Sequence, residues 1–290
     1  MRWSFQNYIM LKSSRKKLIA IGCSFTEHYL TSDQSPNLNF DFPRWPQHLA
    51  DMLDMECVNL GKAGAGNDYI LAKTVDATLK EKNIGLVVLM WSEWRRMGFQ
   101  CHTDWNKWTH ITENTERRPA PGVPVGYLKK FILEKQNPPH ATRNTLRTFI
   151  HAEKILRDIP YMFLQGTQNV VFRRSPNGGM GSIRETANEI LKSPYLDYIE
   201  NNISDKFIGW PLMKEIGGYC IDDILNKEEP LHYRYRGTLR YYVSTFGGDK
   251  KDPPKFRISD QDMHPNDEGH KFIAEFLYEQ YKEIYNVKIF

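Results

Sequence analysis

Short unbroken apolar runs alternate along this chain with longer stretches in which apolar residues return every three or four positions. Leu18–Ile21, Ile84–Trp91 and Tyr161–Leu164 are runs of the first kind. Runs this short and this apolar read as strands buried on both faces, as in a parallel sheet covered by helices. Cys57–Leu60 is a shorter strand of the same kind. Between them lie helical periods. Pro43–Asp54 puts Trp45, Leu49, Met52 and Leu53 on one face, and a second helix carries Ile70, Leu71, Val75 and Leu79. Asn144–Asp158 carries Leu146, Phe149, Ile150, Ile155 and Leu156 and is stopped by Pro160. Ser182–Lys192 reads as a further helix, and Asp197–Leu225 as several short ones with a turn at Phe207–Pro211. The last helix repeats Phe272, Ile273, Phe276, Leu277, Tyr281 and Ile284.

Strands alternating with helices predict an α/β chain: a three-layer α/β/α arrangement around a parallel sheet. Two segments break the alternation. Residues 1–15 read as an N-terminal extension, and residues 98–140, rich in Trp, Thr, Pro and Arg without a period, as an irregular lobe inserted into a domain spanning 16–290. Within that lobe Trp105, Trp108, His102, His110, Arg117 and Arg118 are candidates to line a substrate surface or to pack among themselves. Tyr233–Phe246 reads as a strand or a loop crossing the cleft.

The ends of two of these elements carry chemistry. Ser24 lies just beyond Leu18–Ile21 and Gly22, at the carboxyl end of a buried strand, where open α/β sheets place their ligands. A capping serine would look the same. The second stretch opens the last helix. Asn266 is a good N-cap, and Asp267 and Glu268 suit the positive end of the helix dipole. Pro265 disfavours the α region at His264 and leaves the histidine on an extended turn. A serine nucleophile needs a base, and the base an orienting acid. Asp262 and Asp260 both stand close upstream of His264, with Asp262 the first choice. Between these ends, Gly61, Gly64 and Gly66 form a glycine turn before a helix, a place where backbone amides can meet an anion or a developing oxyanion. Asn67 there is either a polar donor to the site or the helix N-cap. Gln165 and Gln168, at the end of Tyr161–Leu164, are secondary candidates to face the cleft. His28, His48, His151 and His270 are assigned to structure.

Read as a set, these blocks resemble the SGNH/GDSL hydrolase superfamily. Gly22-Cys23-Ser24-Phe25-Thr26 stands where that family has its Gly-Asp-Ser-like motif, and Asp262-Met263-His264-Pro265-Asn266 where it has Asp-x-x-His-Pro. Asn59-Leu60-Gly61-Lys62-Ala63-Gly64 matches its Asn-x-Gly-x-x-Gly block. The resemblance implies the SGNH-hydrolase or flavodoxin-like version of the α/β/α fold, a Ser24–His264–Asp262 triad, and an oxyanion hole from the amides of Ser24 and Gly64. It also implies a reaction, hydrolysis of an acyl ester. A short-chain acyl group, O-acetyl on a carbohydrate included, fits the aromatic-rich chain. An O-acyltransferase would use the same residues, and a silent module binding a glycan or a protein is the alternative from another class. At the end of Ile84–Trp91, Glu93 replaces the family's asparagine donor. A carboxylate cannot donate unless protonated, so Ser92, Asn67 or an arginine has to complete the hole, or activity is weak or absent.

Composition narrows the field further. The chain has 290 residues, 40% hydrophobic and 26% charged, with a net charge of only +4. That balance does not suggest a nucleic-acid partner. Aromatic residues reach 13%, most of them candidates for the core; Tyr and Trp near a cleft would suit a sugar or a protein partner, and the resemblance implies a small-molecule or glycan ester as the partner. Cys23, Cys57, Cys101 and Cys220 follow no metal or disulfide spacing, so no metal and no cofactor are expected. No apolar stretch approaches the ~20 residues of a membrane span, and Met1–Ser14 lacks the apolar core of a signal peptide. The expectation is a cytoplasmic product, or one released or packaged without the usual secretory route.

Overall fold

The computed structural model describes residues 15–31, 39–101, 104–111, 138–167, 180–228, 254–259 and 262–286. Expectations for the 1–15 extension, for Tyr233–Phe246 and for most of the inserted lobe therefore lie outside the described residues.

Five strands form one parallel sheet: β1 (Lys17–Gly22), β2 (Glu56–Asn59), β3 (Ile84–Trp91), β6 (Tyr161–Gln165) and β7 (Phe207–Ile208), in the order β2-β1-β3-β6-β7. The helices α1 (Trp45–Met52) and α7 (Asp267–Tyr285) pack together on one face. On the other, α2 (Asn67–Lys80) and α4 (Met180–Leu191) both pack against α3 (Pro138–Leu156). Two shorter helices, α5 (Leu196–Asn202) and α6 (Ile221–Glu228), flank β7 in sequence. The three-layer α/β/α arrangement predicted from the alternation of periods is the observed one.

The central strands are continuous apolar runs because both of their faces are covered. Leu18–Ile21 and Leu86–Trp91 are essentially inaccessible to water, and fully burying one such side chain contributes about 1.5–3 kcal/mol. The order of the strands also locates the site. From β1 the chain goes to β2 on one side and returns to β3 on the other. The crevice at such a reversal, at the carboxyl ends of the strands, is where doubly wound sheets bind ligands. Ser24 follows β1 directly.

Three elements differ from the sequence expectation. Phe207–Ile208 is a strand, paired with Phe163 and Leu164, and not only part of a turn; two residues are too few to show a period. The inserted segment is not irregular throughout, because β4 (Met97–Cys101) and β5 (Asp104–Ile111) form an antiparallel hairpin. Its alternation was hidden by the polar and aromatic residues of β5. Finally, α3 starts at Pro138 and not at Asn144, since proline is accepted in a first helical turn.

His270 on α7 is buried at 1% exposure, and its Nδ1 accepts the N–H of Trp45, 3.3 Å away, locking α7 to the start of α1. Burial, with Arg44, His48 and His264 nearby, holds its imidazole well below the ordinary histidine range. Burial likewise pushes His110 down to about 4. A folded-state value below the unfolded one makes the unfolded chain bind more protons, so this stability is intact above about pH 6.5 and is lost as pH falls below it. Thermal melts from pH 7 to pH 5 are expected to show a falling melting temperature. Each such histidine adds at most about 1.4 kcal/mol per pH unit, and the slope should flatten in His270→Asn.

Candidate active site

The turn that carries Ser24 is tight. The carbonyl of Cys23 accepts the N–H of Thr26 at 2.9 Å and of Glu27 at 3.1 Å. Gly22 makes this possible, for a Cβ there would lie 2.2 Å from Thr26 Oγ1 and 3.0 Å from the carbonyl oxygen of Met90. The turn therefore sits directly on the end of β3.

The opposite wall of the site comes from the far end of the chain. Asn266 caps α7, its Oδ1 accepting the N–H of Gly269 at 2.8 Å. The residues just before it pair back on residues 256–258: Ile258 donates to the carbonyl of His264 at 3.0 Å, and Asn266 donates to that of Phe256 at 3.1 Å. This pairing fixes the backbone on both sides of His264, which itself lies at a bend.

The result is a continuous chain of polar contacts. Ser24 Oγ lies 2.8 Å from His264 Nε2, across a sequence separation of 240 residues. His264 Nδ1 lies 2.5 Å from Asp262 Oδ1, and the backbone N–H of His264 donates to the same oxygen at 3.2 Å. Asp262 is fully buried while His264 is a quarter exposed. An ionised carboxylate can only accept, so Nδ1 carries the ring proton and Nε2 presents its lone pair to the serine hydroxyl. Edge-on contacts from Phe25, with ring centres 5.6 Å apart, and from Tyr29, at 6.1 Å, hold the imidazole between two aromatic walls. Tyr29 is pushed up to about 12 by burial and stays a neutral phenol.

The glycine turn is fastened to the serine turn by two side chains that the sequence reading did not single out for this task. Asn59 donates Nδ2–H to the carbonyl of Thr26 at 2.6 Å and accepts the N–H of Gly61 at 2.9 Å. Glu27 accepts the N–H of Ala63 at 2.7 Å and pairs with Lys62 at 2.7 Å. Between these clamps Gly64 adopts φ +72°, a left-handed conformation that costs other residues about 1–2 kcal/mol. The N–H groups of Ser24 and Gly64 have no acceptor among the described residues. A strand-end asparagine and an acid in the serine turn are ordinary in sequence, so only their contacts reveal this work.

Several candidates fall elsewhere. Asn67 is buried, with Oδ1 accepting the N–H of Ser92 at 2.9 Å and Nδ2 toward Thr145 Oγ1 at 3.5 Å. It fastens the end of β3 to α2 and α3, so neither the donor role nor the capping role fits; the N-cap is Gly66. Ser92 is fully buried, its Oγ accepting from Arg96 Nη1 at 3.1 Å, so burial keeps its hydroxyl from the open side of the site. Gln165 is also fully buried, bonding the carbonyls of Ser92 and Thr167 and the Trp94 indole. It splices β3 to β6 and does not face the cleft. Glu93 is 3% exposed and is held by the Nε and backbone N–H of Arg95, at 3.0 and 3.3 Å. Burial raises its proton affinity, and Arg95 and Arg96 oppose that rise. Trp108 and His110 lie on β5 and enclose Tyr69, whose hydroxyl donates to the carbonyl of Leu60 beside the glycine turn. Asp260, Gln168, His102, Arg117, Arg118 and the side chain of Trp105 lie outside the described residues. Among the described residues no cluster suits a metal ion, and no helix is long and apolar enough to cross a membrane.

No protein-family model and no curated protein matches the chain. Among solved structures it is similar to a carbohydrate acetylesterase family member from Sinorhizobium meliloti, at 10% identity over 94% of this chain and 100% of that one, with a TM-score of 0.45. It is also similar to a member of the lipolytic protein G-D-S-L family from Veillonella parvula DSM 2008, at 13% identity over 91% and 97% of the two chains and a TM-score of 0.39. Likenesses this distant decide nothing about activity; the chemistry is read from the side chains.

Proposed function

We propose that the protein is a serine ester hydrolase of the SGNH/GDSL type. The observation that carries this reading is the Ser24–His264–Asp262 chain of contacts, at 2.8 and 2.5 Å. In the reaction, Ser24 Oγ attacks the acyl carbonyl while His264 Nε2 takes the hydroxyl proton. The tetrahedral oxyanion is met by the N–H groups of Ser24 and Gly64. His264 then returns the proton to the departing alcohol, leaving an acyl-serine. Water, activated by the same imidazole, adds to that acyl group and releases the acid and free Ser24. Asp262 keeps the ring in the productive tautomer and stabilises the imidazolium formed at each step.

The substrate is a short-chain acyl ester, O-acetyl on a carbohydrate included. The aromatic-rich composition supports a ring-bearing alcohol, whereas Tyr69, Trp108 and His110 pack on one another beside the glycine turn. A silent binding module is the competing reading, and Glu93 is what favours it. A hole built from two backbone amides without the side-chain donor fits a slow hydrolase, since one lost donor costs about 10²–10³ in rate.

A fluorophosphonate probe tests the reading. The folded protein is expected to be labelled once, at Ser24, and to hydrolyse at least one member of a panel of aryl acetates and acetylated sugars. Folded protein that is neither labelled nor active would establish the binding module.

A further inference from the structure

The triad acid and base sit on a short turn, and a turn alone does not hold an imidazole to within tenths of an ångström. One buried cation grips this turn. Arg257 is 1% exposed. Its Nη1 donates at 2.8 Å to the carbonyl of Met263, the residue between Asp262 and His264. Its Nη2 reaches Asp222 Oδ1 at 2.5 Å, the Asp222 carbonyl at 3.2 Å and Asn226 Oδ1 at 3.1 Å. Asp222 and Asn226 belong to α6. The N–H of Asp222 in turn donates to the carbonyl of Gly166, just past β6, at 3.1 Å. The guanidinium also lies over the ring of Phe25, 5.9 Å from its centre, and Phe25 is the neighbour of Ser24 that touches His264 edge-on.

We propose that Arg257 is the positioning residue of the site. It ties the Asp262–His264 turn to α6 and through it to the end of β6, and it backs the serine turn from the same centre. Arginine suits this task because its planar fork addresses acceptors in two directions at once, whereas a lysine ammonium acts as a point charge. A buried guanidinium also demands that its partners stay put, because an uncompensated charge in the interior is costly. Arg257 touches no reacting atom. Its effect is exerted through the placement of His264, where a misplacement of about 1 Å costs roughly 10² in rate.

The kinetic half of the test rests on the esterase reading, and the spectroscopic half does not. Arg257→Lys keeps the charge and removes the fork. In the wild type, the His264 Nδ1–H proton bonded to Asp262 is expected as a far-downfield NMR resonance, assigned by its absence in His264→Gln. In Arg257→Lys that resonance should be lost or exchange-broadened. The kcat per folded molecule should fall about 10–100-fold with KM within about threefold, and added guanidinium should restore part of the activity of Arg257→Ala. If Arg257→Lys does not fold, Asn226→Ala, which removes one acceptor of the same fork, carries the same expectations in milder form. An unchanged downfield resonance in the folded variant overturns the positioning role, whether or not an ester is cleaved. So does a variant that is only less stable, with specific activity per folded molecule within twofold of wild type. A wild type that shows the resonance but cleaves no ester would count against the hydrolase reading alone.

Discussion

Replacing Ser24 with alanine is expected to lower kcat for any ester the protein cleaves by about 10⁶-fold, the scale on which removal of a triad nucleophile acts. The reason is local. Ser24 Oγ is the hydroxyl facing His264 Nε2, at 2.8 Å, and its Cβ can stay in place without it. The turn is held by backbone bonds from Thr26 and Glu27 to the Cys23 carbonyl, and by Asn59, none of which uses the serine side chain. Ser24→Ala should therefore fold and melt like the wild type while losing both turnover and fluorophosphonate labelling. Its Kd for a substrate, measured by calorimetry, should stay within a few-fold, because the amides of Ser24 and Gly64 remain. Retention of more than a hundredth of wild-type kcat would remove Ser24 as the nucleophile.

Asp262→Asn should cost about 10⁴-fold in kcat, the scale seen when an asparagine imposes the wrong tautomer on a triad histidine. Asp262 is fully buried, and its Oδ1 takes both the ring Nδ1–H and the backbone N–H of His264. An asparagine keeps the shape, but its amide N–H can face Nδ1 and drive the ring proton to Nε2. There it confronts the serine hydroxyl as a donor and cannot accept its proton. KM should change little, since Asp262 lies behind the imidazole. Asp260→Asn is the internal control and should retain more than half the activity. The reverse pattern, with Asp260→Asn inactive and Asp262→Asn active, would exchange the two roles. Steady-state kinetics on both variants, with far-ultraviolet circular dichroism to verify folding, is the measurement.

How far the site could be read in advance varied from residue to residue. Ser24 and His264 stand out as a pair: each has a local backbone signal, a buried apolar run ended by glycine before Ser24 and a proline and helix cap after His264, but either one alone reads equally as a capping serine or a solvated histidine. Those signals are backbone statements, and backbone geometry is what short-range sequence determines best. Asn67 and Gln165 were misread for the opposite reason. Both are polar residues at strand or helix ends, and that position does not say which way an amide points. In the folded chain both amides turn inward to satisfy buried peptide groups of Ser92, which would otherwise go unpaired. Asn59 is legible as the start of the glycine block but not as a clamp on the serine turn, and Glu27 and Arg257 carry no signal at all, because charged or amide side chains near loops are ordinarily solvated.

The alternation of apolar runs and helical periods determined by itself that this is a parallel α/β sheet with covered faces, because burial on both sides leaves no room for polar residues in the central strands. It also determined where the turns that carry Ser24 and His264 begin. The tertiary structure decided what those two turns do to each other. Only the order β2-β1-β3-β6-β7, with α7 packed against α1, brings residues 240 positions apart to 2.8 Å. A contact of that separation depends on the closing of the whole sheet and on the packing of the last helix, which no local window of residues contains.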